Sequence, residues 1–168
     1  MLIRLARLDE AGDVAELWMQ LVDYHRALDP DLPAPEPDGI QRYAKFILNL
    51  LRRDDARVYV LIDRRGRVAG YALGMIIDLV PEAFVQEKAG FIADVYIEPP
   101  MRTQGYGRAL VEHLFNWFRE HHLTLIECDV ASKNTQGIAF WQHLSGRPIM
   151  TRLRFSPSPF SETDHGKP

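Results

Sequence analysis

At 168 residues the chain is one domain of ordinary size, long enough to bury a real core. Its 46% hydrophobic and 26% charged residues are those of a soluble globular protein, and a net charge of −3 supplies no clustered basic face for nucleic acid. No apolar run approaches the ~20 residues of a membrane span. The opening MLIRLARLDE lacks the basic region, apolar core and cleavage site of a signal peptide. The single cysteine, Cys128, cannot form an internal disulfide and reads as a small core residue rather than a nucleophile. Cytoplasm is the expected compartment, with no nucleic-acid or membrane partner.

In chain order, residues 2–7 alternate apolar and basic and read as a half-buried first strand. Asp9 is the expected N-cap of a first helix, in which Val14, Leu17, Trp18, Leu21 and Val22 share one face and which ends near His25 or Leu28. The four prolines of residues 29–39 forbid helix or central strand there. A second helix is expected from about Ile40 to Arg53, with Ile40, Tyr43, Ala44, Ile47, Leu48 and Leu51 in phase. Arg57 to Asp63 and Val68 to Leu79 read as two strands joined by the Arg64–Arg67 turn. Gly70 and Gly74 in the second suggest bulges or close backbone approach. Residues 81–88 read as a polar loop.

Next comes the stretch the chain is organised around, residues 90–110. Phe91, Ile92, Val95 and Ile97 form a strand apolar on both faces, and Pro99 and Pro100 stop it because neither can donate a backbone hydrogen bond. Arg102-Thr103-Gln104-Gly105-Tyr106-Gly107 then leads into a helix striped by Leu110, Val111, Leu114, Phe115 and Phe118. Strand, glycine turn and helix N-terminus together bind phosphate: free amides point at the anion, and the glycines let the backbone approach it. Leu123 to Val130 reads as another strand. Asn134 caps a short helix to about Leu144, ended by Ser145-Gly146, and residues 149–155 read as a last strand. Residues 156–168 read as a mobile tail. His113, His121 and His122 read as surface residues, so no metal site is expected.

The R-x-x-G-x-G spacing after a proline-rich break resembles the pyrophosphate-binding motif of the GNAT superfamily of acyl-CoA-dependent N-acetyltransferases. A second element, Asn134, then residues 137–141, then Leu144 to Gly146, resembles that family's asparagine–aromatic motif at the right separation. The resemblance covers about residues 1–155. It implies an α/β (α+β) GNAT fold, a mixed central sheet of about six to seven strands flanked by about four helices. It further implies acetyl-CoA as acyl donor, with Val95, Tyr96 and Ile97 on pantetheine and Arg102, Thr103, Gln104, Gly105, Tyr106, Gly107 and Arg108 on pyrophosphate. Asn134 would bond the pantetheine arm beside Phe140 and Trp141. Where this chain has Thr103, the family often has glycine.

The implied reaction moves an acetyl group to the primary amine of a small molecule or peptide, which must lose a proton before it attacks. Asp94 is the first candidate base, with Glu127 and then Asp129 behind it. Strand alternation sets Asp94 and Tyr96 on one face and Ala93 and Val95 on the other. Family members often carry an acid at the position of Ala93, and the base of the histone-type enzymes falls on Phe91, which cannot serve. The family's tyrosine acid falls on Trp141, whose indole donates a hydrogen bond but supplies no proton near neutral pH. Tyr24 and His25, with Asp94, are the expected walls of the acceptor pocket, although a helix-terminal role suits His25 as well. Acids at Asp29, Asp31, Glu36, Asp38, Asp78, Glu82 and Glu87 suit a cationic acceptor and equally a solvated rim. A non-catalytic acyl-CoA-binding protein of the same fold is the alternative. A Rossmann-type oxidoreductase fits poorly, because its third glycine falls on Leu110. Many relatives form dimers, so a homodimer stays open beside a monomer.

Overall fold

The computed structural model describes residues 1–78 and 87–155. Its elements in chain order are β1 (Leu2–Leu5), α1 (Ala11–Leu28), α2 (Gly39–Leu50), β2 (Ala56–Ile62), β3 (Val68–Asp78), β4 (Lys88–Ile97), α3 (Tyr106–Glu120), β5 (Ile126–Cys128) and α4 (Thr135–His143). The strands lie in the order β1-β2-β3-β4-β5, antiparallel except for the parallel pair β4–β5.

Each face of this sheet buries its own cluster. On one side Val14, Leu17 and Leu21 of α1 and Ile47 and Leu50 of α2 pack on Val58, Val60, Tyr71 and Leu73. On the other, Leu110, Val111, Leu114, Trp117 and Phe118 of α3 pack on Leu61, Ala72, Ile92 and Ile97. The strands are therefore apolar on both faces, which is why their sequences read as runs. Both glycines singled out in β3 are close approaches. A Cβ at Gly74 would lie 2.7 Å from Leu114 of α3, and one at Gly70 would lie 2.8 Å from the Tyr96 carbonyl oxygen.

Three expectations need correction. Asp9 caps nothing: an extra 3-10 turn at Leu8–Glu10 precedes α1, and Asp9 sits inside it, paired with Arg7. Glu10 closes that turn by accepting from the Arg7 amide at 2.8 Å, and it is buried against Arg4. The strand expected at 123–130 contracts to the three residues of β5, since β4 offers it partners only from Gly90 to Ile92. Among the described residues 149–155 form no strand, so the sheet has five strands rather than six or seven. The tail expected at 156–168 and most of the polar loop, including Glu82, lie outside the described residues.

Candidate functional site

The site begins with an irregularity in β4. Leu73 of β3 pairs with Asp94 and the next residue, Gly74, pairs with Ile92, so Ala93 is an extra residue in the ladder. A bulge turns two successive side chains toward one face. Ala93 accordingly packs on the α1–α2 cluster, the side on which Asp94 meets α2, and does not join Val95 as plain alternation would have it. The bulge also marks where the sheet opens. β4 is paired to β5 only as far as Ile92, while its other edge stays paired to β3 through Val95, Tyr96 and Ile97. The β5-facing main-chain groups of β4 beyond the bulge are thus left without strand partners, in the gap between two diverging strands.

That gap runs into the glycine turn. Thr103 has φ 61° and Gly105 φ 82°, both left-handed. Only glycine takes this conformation without cost, so a β-branched residue at 103 is strained, which gives a physical reason for glycine there in the resembling family. Gly105 is the N-cap of α3, no side chain caps the helix, and the first intrahelical bond is Ala109 N–H to the Gly105 carbonyl. The amides of Tyr106, Gly107 and Arg108 are therefore free at the positive end of the helix dipole. Gly107 faces the Phe140 ring, which a Cβ would meet at an ordinary 3.5 Å. Gln104 donates to the Pro100 carbonyl at 3.1 Å, and Arg108 pairs with Glu112 on the exposed side of α3. Arg102 turns back: its Nε donates to the Ile97 carbonyl at 2.8 Å, and its guanidinium lies 5.3 Å from the ring centres of both Tyr24 and Tyr96. It ties the end of β4 to the end of α1.

Asn134 sits opposite. Its Oδ1 accepts from the Gly137 amide at 2.9 Å, capping α4, and from the Tyr24 hydroxyl at 3.3 Å. Its amide nitrogen lies 3.4 Å from His25 Nε2. Tyr24 and His25 are thus held at the mouth of the gap by the same residue that starts α4. Burial pushes the His25 imidazole below its usual range, opposed by the charge of Asp94.

Asp94 is the half-buried acid of the site. Its Oδ2 accepts from the Tyr43 hydroxyl of α2, and Trp18 stacks on the Tyr43 ring at 4.4 Å. The Tyr71 hydroxyl is buried beside them and has no hydrogen bond of normal geometry among the described residues. Burial raises the Asp94 carboxyl above the usual carboxylate range, against the pull of the tyrosine hydroxyls and His25. The Tyr43 phenol is pushed up strongly by burial and by the neighbouring carboxylate, so it stays a neutral donor. Glu127 is not brought to Asp94. It faces Phe91 in the β4–β5 register and lines a separate open cleft of about 220 Å³ with Ile92, Cys128, Trp141 and Leu144. Trp141 packs edge-on against Phe140 at 4.9 Å. The Cys128 thiol is half-buried and pushed up to about 11 by burial, as suits a packing residue. Among the described residues no three metal-ligating side chains cluster. Tyr43 and Tyr71 escaped the sequence reading because both fall in phase with core residues; a hydroxyl on each buried stripe was the available signal.

A family model described as the acetyltransferase (GNAT) family matches residues 18–146. The chain belongs to this acetyltransferase family. It is 25% identical over 143 residues to L-2,4-diaminobutyric acid acetyltransferase of Nocardia farcinica, a match covering 85% of this chain and 64% of that protein's length. Its fold is shared with a mutant of the BH1408 protein from Bacillus halodurans, at a TM-score of 0.82 and 22% identity, over 93% of this chain and 99% of the other. A predicted acetyltransferase from Clostridium acetobutylicum, solved with acetyl-CoA, matches at a TM-score of 0.75 and 15% identity, over 92% of this chain and 95% of the other. The GNAT resemblance read from two motifs is thereby borne out, and so is the mixed α+β fold, with fewer strands. No helix among the described residues is long and apolar enough to cross a membrane.

Proposed function

We propose that this GNAT chain transfers the acetyl group of acetyl-CoA to a primary amine on a small molecule. The observation that carries the reading is the unpaired β5-facing edge of β4 beyond Ala93, running directly into the uncapped N-terminus of α3. Such an edge suits a pantetheine arm, whose amides pair like a strand, and the free amides of Tyr106, Gly107 and Arg108 suit a pyrophosphate. Acetyl-CoA would supply the activated acyl group, its C–S bond breaking as the C–N bond forms, and the departing CoA thiolate would take its proton from water or from the amine's own proton. The chain's own residues do the rest. Main-chain N–H groups of β4, fixed before reaction, donate to the oxygen on which charge develops. Asp94, with its carboxyl raised by burial, takes the proton that the amine must lose before attack. Tyr24, His25, Trp18 and Tyr43 wall the acceptor side with apolar rings and neutral polar groups, which suits an alkylamine held against one carboxylate. The name of the Nocardia relative points to an amino acid carrying a second amine as the acceptor class.

Acetyl transfer to a panel of diamino acids, polyamines and peptides tests the proposal. Turnover of a small diamine is expected. Asp94→Asn should lower it by about a hundredfold or more near neutral pH while acetyl-CoA affinity stays unchanged. Trp141, in place of a tyrosine acid, favours a second reading, an acyl-CoA-binding protein without turnover. Tight acetyl-CoA binding with no amine acetylated anywhere in the panel would favour that reading.

A further inference from the structure

Arg102 carries a charge that no carboxylate answers. The residue is half-buried, and among the described residues it forms no ion pair. Other cations near the site are engaged. Lys133 pairs with Asp29 at 3.1 Å, Arg108 with Glu112 at 2.8 Å, and Arg26 donates to the carbonyls of Pro30 and Leu32. Arg102 uses only its Nε, on the Ile97 carbonyl, and its two terminal nitrogens have no hydrogen bond of normal geometry among the described residues. The direction it faces narrows what could answer it. Its guanidinium lies 5.3 Å from the ring centres of Tyr24 and Tyr96. Tyr96 belongs to the cluster beneath α1, and its hydroxyl donates to Gln20 of α1 at 3.2 Å. Arg102 therefore stands on the α1 face of the sheet, where Asp94 meets Tyr43, whereas α3, with the free amides that suit a pyrophosphate, packs on the opposite face. Asp94 and Tyr96 are two residues apart in β4, ~7 Å along a strand, and Arg102 lies just beyond Tyr96. The acceptor side thus has an acid at one end and a forked cation at the other. The end of α1 joins them: Tyr24 flanks the cation, and His25 feels the charge of Asp94.

We propose that Arg102 selects the acceptor by binding its carboxylate, so that the amines acetylated are amino acids carrying a side-chain amine rather than polyamines. The inference rests on the acetyl-transfer reading above and gives Arg102 to the acceptor instead of the pyrophosphate. Two parallel N–H groups of a guanidinium match the two oxygens of a carboxylate, a fit that a lysine could not offer. The flanking rings of Tyr24 and Tyr96 keep water from the pair, which strengthens it. The side-chain amine, several bonds from the carboxylate, is then the one that reaches Asp94, while the α-amine is held back at the Arg102 end. An acceptor without a carboxylate leaves the half-buried guanidinium unanswered, and a polar group left unpaired rejects a wrong substrate more strongly than a missing apolar contact does.

Matched acceptors that differ only in the carboxylate test this on the full chain: 2,4-diaminobutyrate against 1,3-diaminopropane, and ornithine against putrescine. Within at least one pair kcat/KM should favour the amino acid by about tenfold or more, the scale of a hydrogen bond to a charged group. Arg102→Gln should bring that ratio close to one, mainly through the KM of the amino acid. Arg102→Lys, which keeps the charge and loses the fork, should retain part of the preference. A wild-type protein that acetylates both members of each pair equally, or prefers the diamine, overturns the inference and leaves acetyl transfer standing. So does an Arg102→Gln protein that slows both members alike, as loss of a purely structural tie between β4 and α1 would. A parallel fall in acetyl-CoA affinity, measured by calorimetry, would return the guanidinium to the pyrophosphate and equally contradict it. If none of the four amines is acetylated, the transfer reading fails, and calorimetric titration of the CoA-saturated chain with each amino acid decides the inference separately. Binding of an amino acid that Arg102→Gln abolishes would uphold it, and no binding, or binding indifferent to the substitution, would overturn it.

Discussion

Asp94 owes its chemistry to three neighbours, and only some of that was readable from the sequence. Its place in the central strand marked it as the candidate base. The bulge that turns Ala93 to the same face, and the Tyr43 and Tyr71 hydroxyls beside it, were not readable, because a tyrosine in phase with leucines looks like core. The Tyr43 bond favours the charged carboxylate and so works against burial. Tyr43→Phe should therefore raise the Asp94 pKa further and move the acidic limb of the rate profile upward by about one pH unit, the scale of a hydrogen bond to a charged group. Acetyl-CoA binding should not change; an unmoved limb would show that Tyr43 only packs. The same pKa sets the sign for stability. A carboxyl raised on folding contributes stability below its unfolded pKa that is lost as pH rises through the folded value, so Asp94 weakens the fold at neutral pH.

At the scale of elements, the glycine turn and the α4 cap were the most legible parts of the chain, since each is written in local chemistry: glycine where φ is positive, asparagine where a helix starts. Less legible was what the caps hold. Asn134 also takes the Tyr24 hydroxyl and faces His25, contacts more than a hundred residues away in sequence that no local pattern encodes. Asn134→Ala should lower stability by about 1 kcal/mol, the usual cost of an N-cap, and raise the KM for acceptor as the end of α1 loses its anchor. Thermal unfolding and initial-rate kinetics measure both; a stability loss with unaltered acceptor KM would separate the cap from the pocket wall. The length of β5 was missed for a related reason. Its residues are strand-like from Leu123 to Val130, but the ladder stops where β4 diverges after Ile92, and that is a property of the pair rather than of either sequence.

Across the whole molecule, the two-faced sheet follows from apolar runs in β2, β3 and β4, and the order of elements was readable up to α4. Beyond it the strand expected at 149–155 does not form: a strand needs a partner, and among the described residues none pairs with this segment, whose large apolar side chains stay exposed. The first strand is fastened by an ion pair equally invisible locally: Glu10, 5% exposed, meets Arg4 and Arg7, and the Arg4 guanidinium holds its carboxyl down to about 2 from an ordinary 4.5. A carboxyl lowered on folding stabilises above its unfolded pKa, and this contribution is lost as pH falls from about 4.5 through about 2. Glu10→Gln should cost about 2 kcal/mol at neutral pH by leaving Arg4 unpaired, and the deficit should shrink across that acid window in denaturant titrations. A pH-independent deficit would assign the effect to packing.

Calorimetric titration with acetyl-CoA, with NADH and ATP as controls, decides whether the parted strands and the uncapped α3 form an acetyl-CoA site. Micromolar binding of acetyl-CoA and of CoA is expected, with far weaker binding of the controls and a loss of at least tenfold in Gly105→Asp, which sets charge and bulk at the left-handed N-cap. A flat titration with millimolar acetyl-CoA, or binding indifferent to Gly105→Asp in a folded protein, would contradict it.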